Sequence, residues 1–324
     1  MKQKLAFRVD VSKKIGIGHL IRLINLEKKL DTTPTWLIKT DNFEISNFLS
    51  PKNKILIIKN NIDEIEAINY LIKNNIKKII FDISHIENIR KNADSKLINI
   101  YKRNNFKTIS YNVNLNRNLI SEISIIPYNL KNDNFVDNKL LFLGPQYLGI
   151  KNSKKNKIKK IKKILICIGG ADVFNLGSKI FKQLFNMSYQ IIYISGQNKT
   201  RFNLENTKHK IFNHIKDIKK TIDKVDLVIC GEGLIKYEAV YSNKPIFLVH
   251  QFGRGSILIK KFLENNVCAS YKAKIINNHF KINLIKYINN KNLITRHLNN
   301  QYVKFMKKNN KTEFKKLIDE IERL

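Results

Sequence analysis

The stretch LAFRVDVSKKIGIGHLIR, residues 5–22, decides the fold of this chain. Its apolar first part is continuous rather than alternating, which is typical of a parallel strand covered by helices on both faces. The glycines that follow allow a tight turn, and Leu20–Leu30 has the spacing of an amphipathic helix. The stretch therefore predicts a strand–turn–helix unit that opens a doubly wound sheet.

The same alternation of short β-rich runs and helical patterns continues along the chain. Further strands are predicted at Thr35–Ile38, Ile55–Ile58, Lys78–Ile83, Thr108–Tyr111 and Ser124–Pro127, and in a second series at Ile164–Ile168, Gln190–Ser195, Lys210–Phe212, Leu227–Cys230, Ile246–Val249 and Val267–Tyr271. Helices are predicted at Ile62–Asn74, Leu176–Asn186, Ile215–Lys220, Leu234–Tyr241, Ser256–Asn265 and Asn283–Asn289, and over the tail Leu293–Leu324. The two series predict two Rossmann-like α/β domains that face each other across a ligand-binding cleft.

The domain boundaries follow from a lysine-rich segment between the two series. We expect an N-terminal domain over residues 1–150, a linker over 151–163, and a C-terminal domain with a helical tail over 164–324. A lysine run can be a nucleic-acid-binding tail, but its position between two α/β halves favours a solvated connector.

The composition limits the classes of partner. Hydrophobic residues make up 43% of the 324 residues, so a packed core is expected despite a net charge of +34. Only nine of the 60 basic residues are arginine, the residue that sequence-specific readers of nucleic acid use for bidentate base contacts. We therefore expect no nucleic-acid partner, an anionic substrate, and at most weak peripheral contact with acidic lipid headgroups.

The cysteines and the N-terminus indicate the compartment. The three cysteines, Cys167, Cys230 and Cys268, lie in or beside apolar runs and lack the spacing of a zinc site. We expect buried reduced thiols, no metal and no cofactor. The first residues lack the apolar core of a signal peptide, which predicts a cytoplasmic protein; we expect a monomer.

The first turn is the leading candidate for a functional site. Gly16 and Gly18 allow the backbone to approach a ligand closely, and the amides that open the next helix favour an anion. His19 would lie at the helix entry, and histidine suits acid–base work because it titrates near neutral pH. The alternative is a structural turn with a capping histidine.

Two further glycine turns follow strands in the second series. One carries Gly169, Gly170, Asp172 and Asn175; the other carries Gly231, Gly233 and Glu238. The second turn could hold a diphosphate, and a carboxylate in the helix behind it could accept the two hydroxyls of a ribose. The alternative for Glu238 is an ordinary glutamate near a helix N-terminus, stabilised by the helix dipole.

Together these motifs resemble the UDP-2,4-diacetamido-2,4,6-trideoxy-β-L-altropyranose hydrolases of pseudaminic acid biosynthesis. That family is similar in fold to spore-coat polysaccharide proteins and to GT-B glycosyltransferases. The resemblance covers residue 5 to about residue 270. It rests on the pattern Arg8-x-Asp10-x-Ser12-x-x-Ile15-Gly16-x-Gly18-His19-x-x-Arg22, on Leu143-Gly144-Pro145-x-Tyr147, and on the two later glycine turns.

The resemblance implies an inverting, metal-independent hydrolysis of a UDP-sugar. It implies that His19 activates the attacking water and that Glu238 contacts the ribose, while amides of the glycine turns stabilise the charge that grows on the diphosphate. The substrate contacts that we carry over are Arg8, Asp10, Gly16, Gly18, Arg22, Asp82, Gly169, Gly170, Asp172, Asn175, Gly231, Gly233 and Glu238.

Two departures from the family pattern keep alternatives open. The family has Asp-x-Tyr where this chain has Asp82-Ile83-Ser84, and its Asn-Gln pair has no clear match in His250-Gln251. One alternative is a GT-B glycosyltransferase that moves the sugar from UDP to an acceptor. The other is a non-enzymatic binder of nucleic acid or membrane driven by charge, which predicts binding that weakens steeply with salt.

Overall fold

A computed structural model describes residues 4–324, except 13–14, 42–44, 46–47, 84–92, 112–119, 128–139, 154–159, 170–171, 197–201, 203, 206, 216, 251–256, 273–275 and 308–310. The chain divides into two units, Met1–Gly149 with Asn310–Leu324, and Ile150–Asn309. The segment expected to be a linker falls within the second unit, where the Ser153 amide donates to the Tyr241 carbonyl at 2.7 Å.

The N-terminal unit is built on a seven-stranded parallel sheet in the order β3-β2-β1-β4-β5-β6-β7. The strands are β1 (Leu5–Val11), β2 (Thr35–Thr40), β3 (Lys54–Ile58), β4 (Lys78–Asp82), β5 (Lys107–Tyr111), β6 (Ile123–Ile126) and β7 (Leu140–Leu143). The helices are α1 (Gly18–Glu27), α2 (Asn61–Lys73) and α3 (Ala93–Arg103), and a 3-10 turn covers Pro145–Leu148.

The C-terminal unit is built on a six-stranded parallel sheet in the order β10-β9-β8-β11-β12-β13. The strands are β8 (Lys163–Cys167), β9 (Gln190–Ile194), β10 (Lys210–Phe212), β11 (Leu227–Cys230), β12 (Ile246–His250) and β13 (Ala269–Lys272). The helices are α4 (Leu176–Leu184), α5 (Ile218–Asp223), α6 (Ile235–Tyr241), α7 (Ile257–Glu264), α8 (Asn278–Asn289) and α9 (Lys291–Gln301), followed by a π-helical turn at Tyr302–Met306. The predicted pair of Rossmann-like α/β domains is confirmed.

The last helix, α10 (Lys311–Arg323), belongs to the N-terminal unit, although the sequence assigned it to the C-terminal domain. Its apolar face, with Leu317 and Ile321 buried, completes the core between α1 and one face of the first sheet. Lys78 Nζ on β4 donates to the carbonyls of Ile321 and Glu322 at 3.0 and 2.7 Å, where a cation also complements the helix dipole. Long-range packing, which periodicity cannot show, therefore decides where this helix docks.

Several elements differ from the sequence prediction for local reasons. Helix α5 begins later than predicted because the Asp217 side chain accepts from the Lys220 amide at 3.2 Å and so caps the helix start. Helix α8 begins earlier than predicted because Asn277 caps it. Strand β7 and helix α3 were not predicted, although LLFL before Gly144 and the apolar spacing of Leu97, Ile98 and Tyr101 indicate them.

Among the described residues, no helix combines the length and apolar character that crossing a bilayer requires.

Candidate active site

The first candidate site lies at the topological switch point of the N-terminal sheet. β1 and β4 are neighbours in that sheet, with β2 and β3 on one side and β5 to β7 on the other. Ligands of open parallel sheets bind at the carboxyl ends of the strands where the order reverses. His19 follows β1, and Asp82 is the last residue of β4, so both residues lie at this point.

The glycine loop after β1 is shaped by backbone contacts. Gly16 has φ of 77°, which a side chain would strain, and its amide donates to the Ser12 carbonyl at 2.7 Å. A Cβ built on Gly18 would meet no atom within 4 Å, so the loop borders open space there. Ile17 occupies the N-cap position of α1, and its side chain makes no capping hydrogen bond. The Ile17 side chain therefore does not compete for the first amides of the helix.

His19, Asp82 and Arg22 form one contiguous cluster. His19 Nδ1 lies 2.6 Å from Asp82 Oδ1. Arg22 donates from Nε to Asp82 Oδ2 at 2.7 Å and from Nη2 to Asp82 Oδ1 at 2.6 Å, which is the bidentate fork of a strong ion pair. Arg22 Nη2 also lies 2.8 Å from His19 Nδ1. Asp82 Oδ1 therefore lies within hydrogen-bond distance of both Arg22 Nη2 and His19 Nδ1.

The electrostatics of the cluster keep Asp82 ionised. Burial alone would raise the pKa of Asp82, but Arg22 and His19 outweigh burial and hold this pKa below its usual value. An ionised carboxylate can only accept, so the His19–Asp82 contact is a hydrogen bond when Nδ1 carries the hydrogen, whereas the contact with Arg22 Nη2 needs Nδ1 as the acceptor. In a neutral ring with its hydrogen on Nδ1, Nε2 carries a lone pair, and Nε2 has no partner among the described residues. The His19 side chain keeps 15% of its surface exposed.

Arg8 and Asp10 belong to a second, fully buried network on the α2 side of the same sheet. Arg8 donates to both oxygens of Glu64 at 3.0 and 3.1 Å and to Asp10 at 2.7 Å. Tyr101 adds a hydroxyl donor to Glu64 at 2.6 Å. Arg8 is 2% exposed and engaged with internal acceptors, so its placement supports the strand end, and a direct contact of Arg8 or Asp10 with substrate stays a prediction.

Sequence reasoning missed Glu64 and Tyr101. Glu64 shares the buried face of α2 with Ala67, Ile68 and Leu71, at helical spacings of three, four and seven residues. A carboxylate in an otherwise apolar stripe requires a buried cation or donors, and this signal was present in the sequence.

Tyr111, at the end of β5, lies beside the first cluster. The Arg22 guanidinium carbon lies 5.7 Å from the centroid of its ring, and its hydroxyl donates to the Tyr147 carbonyl at 3.2 Å. Burial and the charge of Asp82 raise the pKa of Tyr111, while Arg22 lowers it. The neutral Tyr111 side chain, held by its hydrogen bond to a backbone carbonyl, therefore packs against the Arg22 guanidinium.

The second candidate site lies at the switch point of the C-terminal sheet, between β8 and β11. Gly169 follows β8 with φ of 130°, and Gly233 follows β11. A Cβ on either glycine would meet no atom within 4 Å. Both glycine turns therefore border open space, which lets a ligand approach the backbone closely.

The polar residues near Gly169 divide between structural and exposed positions. Asp172 accepts from the amides of Leu176 and Gly177 at 2.8 and 2.7 Å and so caps α4. Asn175 is exposed with φ of 53°, and its side chain makes no cap bond. Gly170 lies outside the described residues. A substrate contact of Asp172 would have to share its carboxylate with the helix cap.

Glu238 lies in the first turn of α6 and is 8% exposed. No described residue donates a hydrogen bond to its carboxylate. Burial, and then the charge of Asp217, raise the pKa of Glu238 to about 7, while Lys219 lowers it. The thiol of Cys167, at the end of β8, lies within the field of Glu238, and burial and that carboxylate raise its pKa to about 12. Helix α6, which follows the turn after β11, therefore carries a buried carboxyl group that lacks a donor among the described residues.

The structure brings His19, Arg22 and Asp82 into contact in the N-terminal unit. In the C-terminal unit it places Gly169, Gly233 and Glu238 around one switch point, with Gly231 buried in the turn. Two parallel sheets, each with its candidate residues at the reversal of strand order, define an α/β protein of the GT-B type, in which two Rossmann-like domains are joined in one chain.

Known structures share this fold. MurG of Acinetobacter baumannii aligns with a TM-score of 0.64 at 12% identity, covering 99% of this chain and 100% of that chain. The calicheamicin glycosyltransferase CalG4 aligns at 0.63 and 10% identity, covering 100% and 98%. The Staphylococcus aureus MnaA–UDP complex aligns at 0.63 and 12% identity, covering 99% and 96%. At these identities the likeness shows the fold alone.

In sequence, the chain is similar to an uncharacterized protein of Methanocaldococcus jannaschii, with 25% identity over 278 residues. The match covers 76% of this chain and 56% of that relative, so the chain spans about half the length of the protein it matches. No protein-family model matches the chain.

Proposed function

We propose that this chain releases UDP from a UDP-2,4-diacetamido-trideoxy-hexose-like sugar by inverting hydrolysis, in the biosynthesis of a surface polysaccharide or flagellin sugar. The observation that carries the proposal is the His19–Asp82 contact at the carboxyl end of β1. A histidine whose Nδ1 hydrogen is held by an ionised carboxylate presents a basic Nε2, the arrangement that general-base catalysis requires.

The proposed reaction is a single displacement. Water gives one proton to His19 Nε2 while its oxygen forms a bond to the anomeric carbon. The bond from that carbon to the diphosphate oxygen breaks, and its electron pair leaves with UDP. The Asp82 carboxylate stabilises the imidazolium that forms, and Arg22 keeps Asp82 ionised and oriented. Gly16 and Gly18 would let the sugar approach the loop backbone.

The nucleotide would bind on the C-terminal unit. Glu238 would accept the ribose hydroxyls, which supply the donors that its carboxylate lacks in the described structure. The open backbone at Gly169 and Gly233 would admit the diphosphate. Each of these contacts is a proposal supported by the open glycine turns and by the buried carboxyl group.

Glycosyl transfer is the second candidate. His19 Nε2 could take a proton from an acceptor hydroxyl as readily as from water, and CalG4, which shares the fold, is named as the calicheamicin glycosyltransferase. Because the base is the same, the N-terminal cluster alone does not separate the two reactions.

Nucleotide release separates them. The protein is incubated with a panel of UDP- and CMP-sugars without acceptor, and free nucleotide and sugar are measured. We expect UDP release from a diacetamido sugar and none from CMP-sugars. UDP-sugars that remain intact until an acceptor is added would support transfer, and an epimerised UDP-sugar would contradict both proposals.

The charge-driven alternative has a separate test. If the basic surface were the function, binding to DNA, RNA or anionic vesicles would be tight at low salt and would fall steeply as salt rises. We propose instead that UDP does not compete with these polyanions. Calorimetry should then give the same affinity for UDP with and without them.

A further inference from the structure

A fully buried lysine lies directly behind the turn that follows β11. Lys236, in the first turn of α6, is 0% exposed. Its ammonium donates to the carbonyl of Glu232 and to the carbonyl of Gly233, the latter at 3.1 Å. It also lies 4.5 Å from the ring centroid of Tyr237 and 5.4 Å from that of Phe262. Burying an ammonium is costly, so the contacts that hold it there must be strong.

These contacts fix the direction of two amides. In a trans peptide unit the N–H points opposite to the carbonyl of the preceding residue. Because Lys236 holds the carbonyls of Glu232 and Gly233, the amides of Gly233 and Leu234 point away from the lysine. Neither amide donates a hydrogen bond to a described residue, and Gly233 borders open space.

His250 gives an independent sign of a missing ligand at the same place. It ends β12, the neighbour of β11, and is 9% exposed. Its Nε2 is buried and has no hydrogen-bond partner among the described residues. The β11–β12 register pairs Cys230 with Leu248, so His250 lies level with Glu232 in the turn that Lys236 holds. Burial lowers the pKa of His250, the charge of Glu232 raises it and that of Lys272 lowers it. Buried polar groups without partners are rare in native proteins and point to a ligand.

We propose that Lys236 is a positioning residue for the diphosphate of the nucleotide: it holds the turn so that the Gly233 and Leu234 amides face the phosphate oxygens. The inference rests on the proposed binding of UDP to the C-terminal unit. Lys236 acts on the ligand through the turn, without touching the ligand itself.

Lys244 provides a matched control. It is also a buried lysine of the C-terminal unit, 8% exposed, and its Nζ donates to the carbonyls of Asp223 and Val225 at 3.0 and 2.7 Å. Those carbonyls lie at the end of α5 and in the loop before β11, not in the Gly231–Gly233 turn. Lys236→Met and Lys244→Met therefore remove the same kind of contact at different places.

The experiment compares the dissociation constants for UDP and for uridine, measured by calorimetry on the full-length chain, with thermal melting as the control for folding. We expect Lys236→Met to weaken UDP binding by about tenfold or more, the scale of losing one or two charge-assisted hydrogen bonds. Uridine, which lacks phosphates, should bind as it does to the wild type. Lys244→Met should lower the melting temperature and leave both affinities unchanged, and Lys236→Arg should recover part of the loss.

A second variant keeps the test decisive if Lys236→Met does not fold. Gly233→Ala adds a methyl group in open space, so it should fold normally and still weaken UDP binding but not uridine binding. Unchanged UDP affinity in folded Lys236→Met, or in Gly233→Ala, overturns the inference, as does an equal loss for UDP and uridine. A wild-type protein that binds uridine and UDP equally weakly would overturn the proposed function as well.

Discussion

The two switch points of this molecule differ in how their buried polar groups are satisfied. In the N-terminal unit, Asp82 is paired with Arg22 and His19, and Glu64 with Arg8. In the C-terminal unit, neither the Glu238 carboxylate nor the Nε2 of His250 has a hydrogen-bond partner among the described residues. A buried polar group without a partner costs about 1–3 kcal/mol, so the second arrangement is stabilised when something else supplies the partner.

This difference suggests a division of tasks. In the N-terminal cluster the Asp82 carboxylate is already paired with Arg22 and His19 without a ligand. This arrangement suits a base that must hold one orientation through the reaction. The C-terminal turn is incomplete without ligand, which suits a binding site whose donors and acceptors are matched by the nucleotide. The predictions below either break this contrast or make it quantitative.

The largest effect is expected from Asp82→Asn. The amide keeps the size of the carboxylate but cannot accept from both His19 and Arg22 as an anion does. The imidazole therefore loses its orientation, and the imidazolium that forms in the reaction loses the charge that stabilises it. We expect turnover to fall on the order of 100-fold or more, measured as the rate of UDP release. UDP affinity, measured on the same sample, should stay within twofold of the wild type.

A folded Asp82→Asn variant with turnover near that of the wild type would show that the N-terminal cluster is structural. The contrast between the two units would then have no catalytic meaning.

Glu64→Gln should give the next largest effect, on stability. It leaves the buried Arg8 guanidinium without its main counter-charge, and breaking a buried ion pair costs about 3–5 kcal/mol. Urea unfolding measures this free energy. The control is Glu320→Gln, which removes a surface pair with Arg323 at 2.8 Å and should cost less than about 1 kcal/mol. Equal costs for the two variants would contradict the buried network.

Glu238→Gln should raise the free energy of unfolding at high pH, by a smaller amount than Glu64→Gln lowers it. Because the pKa of Glu238 rises to about 7 on folding, the folded state binds more protons than the unfolded chain between pH 4.5 and 7. The stability from this proton is full below about pH 4.5 and is lost as the pH rises through 7. The neutral variant avoids burying a charge, so at pH 8.5 it should be more stable by about 3 kcal/mol, with no gain at pH 4.5.

Thermal melting of the wild type and Glu238→Gln across this pH range measures the difference, and UDP affinity gives the second readout. A variant that is stabilised and also binds UDP more weakly fits a carboxylate kept for its ligand. A variant with an unchanged pH profile would place Glu238 in a solvated environment.

Much of the fold could be predicted from the sequence because buried parallel strands leave continuous apolar runs and glycine turns mark their ends. The docking of α10 could not be predicted, since its amphipathic pattern shows that it packs but not against which core. Strand β7, at the sheet edge, was overlooked although its apolar run was visible.

The candidate site shows the same limit. His19 could be singled out because the glycine loop and the following helix are local in sequence. Its partners could be carried over from a resemblance, but the contacts with Asp82 and Arg22 depend on the β1–β4 pairing, which only the sheet order supplies. The roles of Glu64 and Tyr101 arise from contacts between elements distant in sequence, and Lys236 also packs against Phe262, which lies on another helix.

The most direct test of the division of tasks measures two variants by two readouts. His19→Ala and Glu238→Ala are each assayed for the single-turnover rate of UDP release and for the dissociation constant of UDP. The account predicts that His19→Ala lowers the rate by about 100-fold or more with UDP affinity unchanged, while Glu238→Ala weakens UDP binding. Normal turnover in His19→Ala, or loss of UDP affinity in that variant alone, would contradict it.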